Sequence, residues 1–134
     1  MRILVAYDGS DGAKRALEHA AAFARPDDVV SVISVAEGVP LFGHAGALPS
    51  PEQVEECERQ LAEAGRVLSE HGVAPSLVTR SGDPATAILD VAHEQGVDLV
   101  VLGTRGMSTV ERWLVGSVSS KVLHHAHCSV LVAR

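Results

Sequence analysis

Ile3-Leu4-Val5-Ala6-Tyr7-Asp8-Gly9-Ser10 is an aliphatic run that stops at a turn, and Ala13, Ala16, Leu17, Ala20, Ala21 and Ala24 follow it at helical spacing. The run predicts a strand over 3–8. The one-sided alanine stripe predicts a helix from Ser10 to the stop near Arg25-Pro26-Asp27. A strand that passes straight into a helix returns to the sheet by a crossover, so a parallel sheet is expected. The rest of the chain repeats the alternation. Val29 to Val35 predicts a second strand, and Ser50-Pro51-Glu52-Gln53 supplies an N-cap, a proline at the first helical position and a capping-box glutamine. That helix carries Val54, Cys57, Leu61, Ala64 and Leu68 and ends at His71-Gly72, where glycine takes the left-handed position. A third strand is expected over Val73 to Thr79, with Pro75 marking an edge or a strand start. Asp83-Pro84 opens a third helix on Ala85, Ile88, Leu89 and Ala92, and Gly96 ends it. Val97 to Leu102 predicts strand four, Ser117 to Ala126 a last helix, and Ser129 to Ala133 a closing strand.

This order gives a single doubly wound α/β domain over residues 1–134: an open parallel five-stranded sheet with helices on both faces. Right-handed crossovers that return past strand one give the strand order 3-2-1-4-5. The switch point then falls between strands one and four. Ligands of open α/β sheets bind outside the carboxyl ends of the strands at such a point, which sets Asp8 opposite Gly103. The long connection from Glu37 to Pro49 leaves the same edge and reads either as a lid or as a plain loop.

Composition narrows the partners. The chain has 134 residues, with 11 Lys+Arg against 17 Asp+Glu, a net charge of −6, and no basic run, which argues against nucleic acid or a phospholipid surface. No stretch approaches the roughly 18 apolar residues of a membrane span, and no basic-then-apolar leader precedes the first strand, so a cytoplasmic location is expected. Cys57 and Cys128 stand far apart and in no CxxC, as small buried thiols rather than a disulfide frame or zinc site. His124, His125 and His127 beside Cys128 point different ways around a helix end, where histidine interacts well with the C-terminal dipole, so no metal site is assigned. His19 and His93 read as helix-surface residues.

The segment richest in chemistry is Gly103-Thr104-Arg105-Gly106, then nine residues, then Gly116-Ser117-Val118-Ser119. Glycines let the main chain approach a ligand, and the free N–H groups of a helix start carry partial positive charge. A protein short of lysine can hold a polyphosphate in this way. Ser117 and Ser119 add hydroxyl donors and Arg105 a cation. A turn followed by an ordinary Gly-Ser cap is the competing interpretation. Asp8 is likewise open: it suits the two hydroxyls of a ribose, and Asp-Gly-Ser-Asp also suits turn and N-cap chemistry. Other nucleotide motifs fail. Gly38 and Gly43 have P-loop spacing, but His44-Ala45 follows where Lys-Ser/Thr is required, and no GxGxxG follows strand one. Ser117 lacks the G-x-S-x-G elbow of a hydrolase nucleophile. Trp113 and Leu114 read as loop anchors.

End to end, the chain resembles the universal stress protein family. Val5-Ala6-Tyr7-Asp8-Gly9-Ser10 is similar to its opening strand and turn, Gly82-Asp83-Pro84-Ala85 to its third helix start, and 98–106 to its fourth strand and loop. The G-x2-G-x9-G-(S/T) signature of its ATP-binding branch is intact at Gly103, Gly106, Gly116 and Ser117. The resemblance implies an adenine nucleotide alpha hydrolase-like fold that binds ATP, with AMP or a cyclic nucleotide as alternatives. Adenine would lie near the Val35 main chain, lined by Ala6 and Leu102, with Tyr7 and Ser10 beside it. Asp8 would hold ribose. Gly106, Gly116, Ser117, Val118 and Ser119 would hold the phosphates, accompanied by Mg²⁺ or Mn²⁺ through charge demand. A homodimer through the strand 129–133 is also implied, and Ser129 departs from the family, which often has proline there. Two functional classes follow: a nucleotide-binding regulatory or stress-response protein, or a slow ATPase or phosphotransferase using the same site. The phosphate loop offers no lysine and no obvious water-positioning carboxylate, since Asp8 is assigned to ribose and Glu111 is unplaced, so binding is the expectation and no catalytic residue is assigned.

Overall fold

The computed structural model describes residues 1–38, 48–104 and 116–134. Its elements run β1 (Arg2–Ala6), α1 (Asp11–Phe23), β2 (Val29–Ala36), α2 (Pro51–Glu70), β3 (Ser76–Ser81), α3 (Pro84–Glu94), β4 (Leu99–Gly103), α4 (Ser117–His125) and β5 (Ser129–Ala133). The five strands form one sheet in the order β3-β2-β1-β4-β5, and every pairing is parallel. The expected doubly wound fold is therefore observed, with its switch point between β1 and β4.

Alternating side chains divide the core in two, because successive strand residues face opposite sides of a sheet. Ile3, Val5 and Tyr7 of the β1 segment join Val30, Val32 and Val101 under α1 and α2. Leu4, Ile33, Val100 and Leu102 pack on the other face beneath α3 and α4. The central strands β1, β2 and β4 are buried on both faces, as a near-continuous apolar run requires. The edge strand β3 is not: five of its six residues are exposed. No helix among the described residues is long and apolar enough to cross a membrane.

Two strands begin later than sequence pattern suggests, for the same reason. Gly72 (φ +77°) and Gly96 (φ +61°) end α2 and α3 in the left-handed conformation. The residue after each glycine is then captured by its helix: Val73 N–H donates to the Leu68 carbonyl at 2.9 Å, and Val97 N–H to the Ala92 carbonyl at 2.9 Å. These are the long-range bonds of a Schellman termination, with an apolar residue folded back on the last turn. Val73 and Val97 thus belong to helix ends, so β3 begins at Ser76, beyond Pro75, and β4 at Leu99.

At two glycines, α1 and β4 meet backbone to backbone. A Cβ on Gly12 would stand 2.2 Å from the Thr104 carbonyl oxygen, and one on Gly103 would stand 2.1 Å from the Gly12 carbonyl carbon. The first turn of α1 therefore rests directly on the end of β4. By contrast, a Cβ on Gly65 in mid-α2 meets only Leu77 at 3.7 Å, an ordinary contact. In denaturant unfolding, Gly12→Ala is expected to cost about 3 kcal/mol, the upper part of the overpacking range. Gly65→Ala is expected to add about 0.5–1 kcal/mol through helix propensity alone.

Candidate nucleotide crevice

All three crossover helices that flank the switch point start at the carboxyl edge of the sheet, and a crevice opens between them. Its empty space, open solvent included, is about 540 Å³. Ala6, Tyr7, Asp8 and Ser10 line it from the β1 end, Val35 and Glu37 from β2, and Leu102 and Gly103 from β4. Pro84 and Ile88 of α3 and Val118 of α4 close the far wall. The walls are mainly apolar, and two carboxylates, Asp8 and Glu37, stand among them.

The turn after β1 is built by its own side chains. Ser10 N–H donates to Asp8 Oδ1 at 3.0 Å, and Ser10 Oγ accepts from Ala13 N–H at 3.2 Å as the N-cap of α1. Asp8 therefore performs the turn chemistry with one oxygen. Its other oxygen, Oδ2, makes no hydrogen bond among the described residues, and the carboxylate is exposed.

The helix starts differ in one respect. Ser10 caps α1, Ser50 caps α2 in a full capping box with Gln53, and Asp83 caps α3, while α4 begins at Gly116 with no side-chain cap among the described residues. A serine, threonine or aspartate cap is worth about 1 kcal/mol, so α4 forgoes a stabilisation that the other three helices have. Ser119 does not supply it either. It is buried, and its hydroxyl donates back to the Gly116 carbonyl at 3.0 Å.

Of the residues expected at the site, Ala6, Tyr7, Asp8, Ser10, Val35, Leu102, Gly103 and Val118 meet in this one crevice. Gly116, Ser117 and Ser119 occupy the α4 start beside Val118. Arg105, Gly106, Trp113 and Leu114 lie outside the described residues, as do 39–47 of the long connection.

The universal stress protein family model matches residues 1–134. A universal stress protein of Thermus aquaticus is 40% identical over 139 aligned positions, covering 98% of this chain and 97% of its own. The chain belongs to the universal stress protein family. The structure of the Archaeoglobus fulgidus universal stress protein superposes with a TM-score of 0.84 at 28% identity, covering 100% of this chain and 98% of that one. A universal stress protein structure from the same organism in complex with dAMP gives a TM-score of 0.77 at 28% identity, covering 100% of this chain and 98% of that one.

Several crevice residues of this universal stress protein were not expected from sequence. Ala13, Ile33, Glu37, Pro84 and Ile88 also line it. The available signal was topological: in a parallel sheet every helix starts at the carboxyl edge, so Asp83-Pro84 had to lie near Asp8. His93 is exposed as expected, and its ring meets His127 edge to face at 5.6 Å. Cys57 is buried and Cys128 half-buried, and burial raises the Cys128 thiol above its ordinary value. Among the described residues no group of three or more His, Cys, Asp or Glu is arranged to hold a metal ion.

The α3 and α4 walls are tied together by one ionic cluster. Lys121 Nζ donates to Asp83 Oδ2 at 3.0 Å, and the same oxygen accepts from Thr86 N–H and Oγ1 at 3.0 and 2.8 Å. The Lys121 bond, then those from Thr86, hold the Asp83 carboxyl at about 2, below its usual 3.8. A depressed folded value means that the stabilisation is complete above about pH 4 and is lost as pH falls towards 2. In Lys121→Met, the Asp83 carboxyl is expected to titrate closer to 3.8 by NMR, and the stability lost between pH 4 and pH 2 is expected to shrink. An unchanged Asp83 titration would remove Lys121 as the main cause.

Proposed function

We propose that this chain binds an adenine nucleotide, with ATP as the main ligand, and acts as a regulatory or stress-response module of the ATP-binding branch of its family. The carrying observation is the uncapped start of α4 at an apolar switch-point crevice. Three helices have one amide of the first turn bonded by a cap side chain, and the fourth, beside Val118, has none so bonded among the described residues and would present its first amides to an occupant of the crevice. Phosphate oxygens suit those amides and the positive end of the helix dipole. The dAMP complex of the Archaeoglobus fulgidus relative supports an adenine nucleotide in particular.

In this proposal adenine lies between Ala6 and Leu102 against the Val35 main chain, with Tyr7 and Ser10 alongside. The open Oδ2 of Asp8 takes the ribose hydroxyls. The phosphates lie over Gly116, Ser117, Val118 and Ser119, and the Gly103-Thr104-Arg105-Gly106 segment completes the cradle. Mg²⁺ or Mn²⁺ enters with the polyphosphate and is held by phosphate oxygens and water, since a hard cation asks for oxygen ligands.

Gly116 has φ −59°, a conformation open to any residue, so a side chain can be added there without backbone strain. Gly116→Val is expected to abolish ATP binding in calorimetry while leaving the helical signal intact. Wild-type affinity in that variant would remove the phosphate cradle from the proposal. Asp8→Ala is expected to weaken ATP without abolishing it, by the order of magnitude that follows the loss of a charged hydrogen bond.

The proposed assembly is a homodimer through β5. Among the described residues neither β3 nor β5 has a second strand partner, but the two edges differ in character. Five of the six residues of β3 are exposed and it carries Arg80, which suits a solvated edge, whereas Ser129–Ala133 is an apolar Val-Leu-Val strand paired only with β4. Val130 and Val132, half-buried on the core cluster beneath α3 and α4, lie on one face of that strand, and the part of each left uncovered would pack across a twofold axis. Light scattering at micromolar concentration is expected to give a dimer mass, and Val130→Asp/Val132→Asp a monomer. A monomeric wild type would overturn the assembly and leave the nucleotide proposal standing.

A further inference from the structure

Helix α2 contributes nothing to the crevice wall, yet two of its side chains reach the end of β1 from behind. Gln60 and Glu63 are three residues apart, on one side of the helix, and they meet consecutive residues of the chain. Gln60 Nε2 donates to the Asp8 carbonyl oxygen at 2.9 Å, and the Tyr7 hydroxyl donates to Glu63 Oε1 at 2.8 Å. Tyr7 is 2% exposed, and burial first, then the Glu63 bond, raise its phenol above its ordinary value, so the hydroxyl stays a donor.

The Gln60 amide has only one workable orientation. Its Oε1 accepts from Ser34 Oγ at 2.7 Å, and Ser34 is buried in β2. Its Nε2 faces both the Asp8 carbonyl and, at 3.4 Å, Glu56 Oε1. Turned over, the amide would set its oxygen against two acceptors. Gln60 is thus a fixed link from the middle of the sheet to the peptide that follows Asp8. That peptide leads into Gly9, whose φ of +79° starts the turn that brings Ser10 N–H onto Asp8 Oδ1.

We propose that Gln60 is a positioning residue for ribose recognition: by holding the Asp8 carbonyl, it sets the direction in which the Asp8 carboxylate faces the crevice. The inference rests on the nucleotide proposal above. Without the Gln60 donor the Asp8–Gly9 peptide keeps only the Ser10 N–H bond to Asp8 Oδ1 as its hold, so more of the ordering of the carboxylate falls on the ligand at the moment of binding, which weakens it. Val35 and Leu102 of the proposed adenine contacts stand on β2 and β4, the phosphate amides stand on α4, and Ala6 lies inside the paired part of β1, so the loss falls mainly on the ribose hydroxyls.

The test compares ATP with 2′,3′-dideoxy-ATP by calorimetry in the full chain. Gln60→Met removes donor and acceptor at nearly constant volume. Gln60→Glu keeps the acceptor for Ser34 but replaces the donor to Asp8 with a carboxylate oxygen that faces the Asp8 carbonyl and Glu56, so it unpins the same peptide and carries the test should the methionine variant fail to fold. Wild type is expected to prefer ATP. In both variants that preference is expected to fall about fivefold, the factor expected for one lost hydrogen bond. Any charge repulsion from the new glutamate acts on both triphosphates alike and leaves the ratio untouched. Wild type that binds neither nucleotide, or binds both equally, overturns the ribose assignment and this inference together. A wild-type preference that folded variants retain, or an equal loss for both nucleotides, overturns the role of Gln60 and leaves nucleotide binding in place.

Discussion

The contact between Gly12 and Gly103 decides how the rest of the molecule is arranged. It brings the backbone of α1 onto the carboxyl end of β4, at the place where the winding of the sheet reverses. Any larger residue at either position would lift the helix from the sheet, and with it the Asp8–Ser10 turn that β1 delivers into α1. The lack of a side chain at Gly103 is therefore explained by packing before any ligand is considered. The same residue also lines the crevice, so one glycine sets both the docking of the helix and the depth of the floor.

Polar groups are used sparingly around that floor, and each has a definite direction. Asp83 gathers Thr86 and Lys121 and joins two walls, Gln60 joins α2 to the Asp8 peptide, and Glu63 holds Tyr7. Each of these links begins on a helix and ends within two residues of a crevice-lining position. Their individual strength is modest, since exposed pairs such as Asp83 with Lys121 contribute little to stability. Their effect is geometric: they fix the spacing of walls whose packing is otherwise aliphatic and directionless.

How much of this was legible in the sequence depended on the range of the interaction. The alternation of Val-rich runs with alanine and leucine stripes is a local signal, and it carried the strand order, the switch point and the meeting of Asp8 with Gly103. Ser50, Gln53 and Asp83 were equally readable, because a cap and the amides it serves are three residues apart. Val73 and Val97 misled, since a valine after glycine has the same composition whether it starts a strand or closes a Schellman turn. Gln60 was invisible for a different reason. It sits three residues after Cys57 and four before Ala64, on the margin of an apolar stripe, and nothing local names Ser34 and Asp8 as its partners. A lone polar residue at such a margin is the signal that a long-range bond is present, although not to what.

The same geometry bears on whether a nucleotide held here would be turned over. Backbone amides at a helix start and a carboxylate on ribose act on parts of the nucleotide whose charge changes little as a phosphoryl group is transferred. Binding substrate and transition state equally well lowers the concentration needed for occupancy without raising the turnover rate. Acceleration would require charge placed where it develops, between the γ-phosphate and its leaving oxygen, together with a group that orients water. The charged residues among the described crevice lining are Asp8 and Glu37, both carboxylates on the β1 and β2 side. Asp8 is engaged by Ser10 through one oxygen and is assigned to ribose in the proposal through the other, which leaves it poorly disposed to activate water at a distant phosphate. In the proposed reading, contacts of this kind bind an occupant without favouring its transition state, and its presence or absence would bear on the spacing of α1, α3 and α4 around it. That is the physical form a regulatory signal takes in a small domain: a ligand that changes which arrangement of rigid elements is most stable, by no more than its difference in affinity for the two.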